Sequence, residues 1–446
     1  MPESMRRSPT SAALVLMLLS IVAPCQAEAR AQPGAGRTVA YEVKPGDTLY
    51  GLAERYLIHR SDYRAVARLN RVADPRRLSV GRPLQIPLPL LRTSPAEARI
   101  ANFRGVVTVE SKGVAQPAVA GRGMTEGDVI STGANAFARL ALTDGSHVSL
   151  PSRSRVRIVR LREILLTGAV DHVFRLEAGR VETDVAPVRA PGGFSITTPI
   201  SVSAVRGTEF RSAYDAATAK GSTEVIEGAV AVAAGGDTVV ALATQGVIAG
   251  AEGVGLVDLL PAPDLQRPEA PQTAEGVVFE IRPAIGAIRY RARLATDAGM
   301  IDAFAETESA PGDTRVMFDD VADGAYFVRL SAVSADGVEG LASVYSVIRA
   351  RNRVAGLSAA AGGGRDRPYL FRWEAQGAGP ARFRFQLRHA DGPSAPLGDQ
   401  ADLQQPEMTV TGLKAGVYEW RVRMTRPAFG QVLETWSEPQ QLRVGR

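Results

Sequence analysis

"YEVKPGDTLYGLAERY", Tyr41–Tyr56, changes its period in mid-stretch. Tyr41-Glu42-Val43 alternates as a strand does, and Pro45 ends it, because proline cannot continue a hydrogen-bonded ladder. Gly46 supplies turn freedom, and Asp47 or Thr48 can cap a helix by accepting a backbone N–H. Leu49, Leu52, Ala53 and Tyr56 then recur at three- and four-residue spacing, which predicts one apolar helical face. A second helix fits "SDYRAVARLN" (Ser61–Asn70), capped by Ser61 or Asp62, with Tyr63, Val66, Ala67 and Leu69 turned inward. Asn70 ends it. A turn at Gly81 leads to a returning strand at Leu84-Gln85-Ile86. The order is strand, helix, helix, strand.

This unit resembles a LysM domain. Val43, Gly46, Asp47, Thr48 and Leu49 match the family's opening signature, and Asn70, Gly81, Leu84, Ile86 and Pro87 its later positions. The resemblance covers residues 40–88. It implies binding of N-acetylglucosamine-containing glycans, peptidoglycan among them, in a groove between the loop after the first strand and the loop after the second helix. That places Gly46, Asp47, Thr48, Leu49 and Tyr50 on one lip, with Asn70, Arg71, Val72 and Ala73 opposite. Backbone groups of both loops would bond the acetamido group. Asp47 and Thr48 also read as helix caps and Leu49 as core.

The rest of the chain reads as β-structure. Its 446 residues suggest about three domains, and its 44 Gly and 28 Pro predict many turns and short strands. From residue 100 to 257, short alternating strands are broken by Gly turns, as in "ARLALTDGSHVSL" (Ala138–Leu150), with a hairpin at Asp144-Gly145. The motifs G-D-x-I-x-T-G, L-x-D-G-S-x-V-x-L, T-P-x-x-V-x-x-x-R-G-T-x-F and E-G-x-V-x-V come in order. Together they resemble the FecR family, which implies an extracytoplasmic β domain and, in some members, signalling through a membrane helix and a cytoplasmic arm. This chain shows neither of those elements. Arg206 of the R-G-T core reads as a buried arginine, or alternatively as an anion site.

Residues 277–351 and 366–444 form a weak tandem repeat that resembles fibronectin-III sandwiches, with Tyr326 and Tyr418 as corner tyrosines. "LRTSPAEAR" (Leu91–Arg99), "APDLQRPEAPQT" (Ala262–Thr273) and "GLSAAAGGG" (Gly356–Gly364) read as linkers. The expected fold class is mainly β and multidomain, around one small βααβ unit.

The first residues read as a signal peptide: Arg6-Arg7, an apolar run at Ser11–Ala23, then small residues, with cleavage after Ala27. The alternative of lipid attachment at Cys25 fits less well, because Pro24 precedes it. The chain is then exported to a periplasm with no transmembrane segment. The net charge of +5 lacks a clustered basic stripe on a recognisable module, so nucleic acid is not an expected partner. A mildly basic surface suits an anionic envelope.

Catalytic patterns do not assemble. Adjacent strand residues point to opposite faces, so Ser146 and His147 cannot form a nucleophile–base pair. His59, His147, His172 and His389 are scattered, and neither a metal nor a cofactor is expected. Asp319 and Asp320 read as solvated turn residues. "RVRIVRLRE" (Arg155–Glu163) reads as a half-buried strand with a charged outer face, an anionic-surface contact being the alternative. The expected role is non-enzymatic. The chain binds peptidoglycan and presents its β domains to an envelope protein partner, or alternatively senses an envelope signal through the FecR-like domain. Deletion of residues 40–88 is expected to abolish wall binding and leave the remainder folded.

Overall fold

The computed structural model describes residues 38–188, 192–363, 367–392 and 395–445. The expected signal segment, its cleavage site and Cys25 lie outside the described residues.

The N-terminal unit is βααβ. Strand β1 (Thr38–Glu42) pairs antiparallel with β2 (Pro83–Pro87), and helices α1 (Leu49–Tyr56) and α2 (Tyr63–Asn70) pack on this ribbon. Val39, Val43, Leu49, Leu52, Ala53, Val66, Leu84 and Ile86 form its core. Leu69, expected inside, is half exposed, because α2 is short and its buried stripe is Val66 with Ala67 and Tyr63 at the margins.

The unit shares its core with the neighbouring β domain. Ile164, Ala169 and Leu166, from a hairpin of that domain, complete the apolar cluster. The segment expected as a linker is built in. Thr93–Pro95 is a strand paired with Arg162, Glu163 and Ile164. The Arg92 amide donates to the Tyr56 carbonyl at 2.7 Å.

The middle β body runs from Thr93–Pro95 to Gly253–Asp258, and its strand path closes on itself. Leu140 pairs with Val148 across the Asp144-Gly145 turn, and both are buried. The 16-residue strand Ala169–Asp184 joins two sheets. Its first part pairs with Arg155–Ile164, its second with Glu209–Asp215. The crossing point is Gly179, with φ of +81°, where a Cβ would lie 2.3 Å from the Arg153 carbonyl oxygen. Only glycine meets both conditions. Gly179→Ala is expected to lower stability by about 3 kcal/mol through backbone strain and overpacking, read from the midpoint of urea unfolding.

Two sandwiches complete the chain. In the second, Arg353–Ala361, Tyr369–Gln376 and Glu407–Val410 form one sheet. Gly398–Leu403, Arg382–His389, Gly416–Ala428 and Gln431–Trp436 form the other, and Gln440–Val444 also pairs with Gly416–Ala428 as its fifth strand. The first repeats this plan with a four-stranded sheet over a two-stranded one. The Tyr326 and Tyr418 hydroxyls each donate to the carbonyl four residues upstream, Ala322 at 3.2 Å and Lys414 at 2.8 Å. That is the tyrosine-corner bond. Both remaining linker expectations differ from the structure. Residues Gly356 to Ala361 lie in a paired strand. Leu265 sits in the core of the first sandwich, and the Gln272 amide bonds to the Ile348 carbonyl.

The middle body and the first sandwich meet across buried ion pairs. Glu339 receives Arg211 at 2.9 Å, Arg180 at 3.3 Å and Arg291. Arg293 bridges Glu182 and Glu306, each at 2.9 Å, and Arg329 reaches Glu182 at 3.0 Å. Arg293 also lies over the Phe137 ring, which packs on Ala295 and Ala303. The two sandwiches are joined differently. Buried Arg426 of the second donates to the Arg351 carbonyl and pairs with Asp323 of the first at 3.4 Å, and the Asn352 side-chain amide donates to the Thr435 hydroxyl at 3.1 Å. Arg349 is buried within the first, where it donates to the carbonyls of Gln272, Ala274 and Glu275.

Candidate glycan-binding groove

Two loops converge at the end of the βααβ unit. The Leu49 amide donates to the Pro75 carbonyl at 2.9 Å, so the β1–α1 loop and the α2–β2 loop touch at the head of α1. Thr48 is the N-cap, its hydroxyl accepting from the Gly51 amide at 3.0 Å. Asp47 does different work. Its carboxylate accepts from the Tyr41 hydroxyl at 2.7 Å, the Lys44 amide at 2.9 Å and Arg55 at 2.9 Å. Burial pushes this carboxyl up, but these donors outweigh it and hold it below the usual range. Burial and the Asp47 bond together push the Tyr41 hydroxyl up to about 12. Asp47 therefore closes the Pro45-Gly46 turn and leaves little acceptor capacity for a ligand.

On the other side, Asn70 clasps α2 to β2. Its amide donates to the carbonyls of Val66 at 2.8 Å and Gln85 at 2.7 Å, and its oxygen accepts from the Gln85 amide at 2.7 Å. Both amide hydrogens are used. Arg71 adopts φ of 51° and ends the helix. The nine expected site residues thus fall into two groups. Leu49 is core, and the side chains of Asp47, Thr48 and Asn70 are committed to structure. Gly46, Arg71 and Ala73 are exposed, and Tyr50 and Val72 are half-buried. What remains for a ligand is backbone from both loops and a few side chains.

Sequence reasoning missed one of those side chains in this role. The Tyr63 ring packs on Tyr50, with centroids 4.6 Å apart. Helical spacing assigns Tyr63 to the inward face, but it stands at the start of α2, where the helix no longer covers it. An aromatic pair half open to water beside two loops is a suitable wall for a sugar face.

Residues 41–87 match the LysM domain, and residues 128–231 match the FecR protein family. The chain carries a LysM domain followed by a FecR domain. No curated protein matches the chain. Among solved structures, a candidate anti-sigma factor from Parabacteroides distasonis is 19% identical over 29% of this chain, with a TM-score of 0.25. The chain spans 59% of that protein's length. A two-domain fibronectin type-III segment of chicken tenascin is 13% identical over 42% of this chain and 100% of its own, with a TM-score of 0.24. The human OSCAR ligand-binding domain is 18% identical over 42% of this chain and 100% of its own, with a TM-score of 0.18.

In the FecR domain, Arg206 is exposed, contrary to the buried arginine expected. The neighbouring positions carry the structure instead. Gly207, with φ of +97°, lies against Pro187, and buried Thr208 bonds to the Ala229 carbonyl at 3.2 Å. The Ser146 hydroxyl is buried, donates to Asp144 at 3.0 Å and accepts from the Ala186 amide at 3.1 Å. The arginine strand is neutralised along its length. Arg155 pairs with Glu110 and Glu177, Arg157 with Glu177, Arg160 with Asp171 and Arg162 with Glu126. That pattern fits the charged outer face and leaves no excess charge for an anionic surface. Among the described residues, no helix is long and apolar enough to cross a membrane.

Proposed function

We propose that this is a non-catalytic protein of the cell envelope that holds peptidoglycan in its LysM groove. The FecR domain and the sandwiches then form a stiff body that presents a surface to a partner. The match of residues 41–87 to the LysM domain carries this reading. Convergent loop backbones and the Tyr50–Tyr63 wall support it. The FecR match supports a second reading, in which the middle domain relays an envelope signal to a protein partner. The periplasm, reached by an N-terminal signal, is the compartment both readings require.

The test is co-sedimentation of the purified protein with peptidoglycan sacculi. Deleting residues 40–88 is a poor control, because it uncovers Ile164, Leu166 and Ala169. That apolar exposure costs about 2–4 kcal/mol. Point variants avoid the problem. Tyr50→Ala removes the aromatic wall, and Ala73→Trp fills the opposite lip. Each is expected to weaken binding about tenfold with the melting temperature nearly unchanged. Sedimentation equal to the parent in both variants places wall binding elsewhere on the chain. No sedimentation of the parent defeats the reading.

A further inference from the structure

The charge of this chain is concentrated in one small unit. Residues 41–87 hold nine basic and five acidic residues, whereas residues 88–446 hold 39 basic and 40 acidic. The pairing differs as sharply. In the β domains, most of the described arginines stand against carboxylates, as along Arg155–Ile164 and at the Glu339 cluster. In the LysM domain, among the described residues, only Arg55 and Arg60 have a carboxylate within 4 Å, Asp47 and Glu54 respectively. The other cations are not evenly spread. Arg71, Arg76, Arg77 and Arg82 all belong to the loop between α2 and β2, and all are exposed. This loop is the lip that meets the head of α1 at Pro75. Its one acid, Asp74, is turned to its own backbone, accepting from the Arg76 amide at 2.9 Å. Arg82 donates to the Asn70 carbonyl at 3.3 Å, which holds its guanidinium at the base of the lip.

Four exposed guanidiniums on one short loop repel each other, and among the described residues no carboxylate pairs with them. A neutral sugar polymer accepts hydrogen bonds from them but leaves their charge uncompensated. A carboxylate is the group a guanidinium fork receives best, through two parallel N–H···O bonds.

We infer that the Arg71–Arg82 lip reads carboxylates carried on the glycan, so that the LysM groove selects an acidic, muramyl-type strand over a neutral N-acetylglucosamine polymer. This rests on the groove being a glycan site. The sugar would lie on the loop backbones and the Tyr50–Tyr63 wall, while the lip engages acids projecting from the strand. The carboxylate has two sources, the lactyl ether of the sugar or the peptide stem attached to it.

The test measures affinity of the full purified protein for four probes in 0.1 M and 1 M NaCl. They are an N-acetylglucosamine hexamer, glycan strands stripped of stems, strands carrying stems, and polyglutamate. A strand with carboxylates is expected to bind about tenfold tighter than the hexamer in 0.1 M salt. The advantage should shrink to about twofold in 1 M, where screening reaches only ~3 Å. Preference for stem-bearing strands alone assigns the carboxylate to the peptide. Equal preference for stripped strands assigns it to the lactyl group. In the triple variant Arg76→Gln, Arg77→Gln, Arg82→Gln, confirmed as folded by its melting curve, the ratio of strand to hexamer affinity is expected to fall to about one. Equal binding of hexamer and strands, or an unchanged ratio in the variant, overturns the inference and leaves the glycan reading intact. Polyglutamate competing as well as the strands also overturns it, because the lip is then a general polyanion patch. No binding of any carbohydrate overturns the glycan reading itself.

Discussion

Glu339→Gln is expected to cost about 3–5 kcal/mol, because it breaks a buried ion-pair cluster. Glu339 is 6% exposed and accepts from Arg211, Arg180, Arg291 and the Ser331 hydroxyl, the last at 2.7 Å. The amide keeps the shape but removes the charge. Three guanidiniums then face each other across a closed interface with one carboxylate fewer. Removing one partner of a buried pair is costly because the other charge stays desolvated. Glu308→Gln is the control. Glu308 also pairs with Arg291, but its side chain is 33% exposed, and water can replace it. It should cost less than about 1 kcal/mol. Arg211→Met combined with Glu339→Gln should cost less than the two changes summed, since each removes the charge the other strands. Urea unfolding of the parent, Glu339→Gln, Arg211→Met, the double variant and the Glu308→Gln control checks this. A loss under about 1 kcal/mol in Glu339→Gln would mean the interface is hydrated and the ion pairs contribute little.

The LysM unit was largely legible because its code is local. Pro45-Gly46 ends a strand and Thr48 caps a helix within the next four residues, with no help from the rest of the chain. The sandwich repeats were legible for the same reason, through alternation and the corner tyrosines. The interface was not. "RYRARL" (Arg289–Leu294) and "RFRFQL" (Arg382–Leu387) share the same alternation of polar and apolar residues, the pattern of a strand. In the structure, Arg293 is buried against Glu182, whereas Arg382 is exposed. What separates them is a partner more than a hundred residues away, and alternation carries no information about that. The linkers failed on the same ground. Pro95 and the Gly-Ala run after Gly356 look like breaks, but edge strands tolerate both, and neighbouring strands supplied the pairing. Within the groove, the signature residues Asp47 and Asn70 were legible as positions but not as roles. A motif records where a residue is needed, and here that need is closing a turn and clasping a helix.

Acid is expected to open the joint between the FecR domain and the first sandwich before the joint between the two sandwiches. At the first joint, burial pushes the Glu339, Glu306 and Glu182 carboxyls up, but the surrounding guanidiniums outweigh it and hold all three below the ordinary range. A carboxylate depressed in the folded state contributes stability that is complete above its unfolded value of about 4.3 and is lost as pH falls toward the folded one. Glu224 and Glu209 have the opposite sign. Burial raises both carboxyls, so protonating them favours the folded state, but that gain is complete once the pH has fallen to the unfolded value of about 4.3. Below about pH 4 the depressed carboxylates alone set the slope, which is destabilising. The second joint depends on acids far less. Arg426 is held chiefly by the carbonyl oxygens of Arg351 and Ala378, which do not titrate, and only Asp323 adds a depressed carboxyl, burial again opposing and Arg351 prevailing. Hydrogen exchange as a function of pH distinguishes the two. Amides on Gly179–Asp184 and Glu339–Arg349 should lose protection between about pH 4 and pH 2, while those around Asn352 and Met424 stay protected. Simultaneous loss at both joints would assign the acid response to global unfolding, and retention at the first down to about pH 2 would show that its arginines do not depend on their carboxylates.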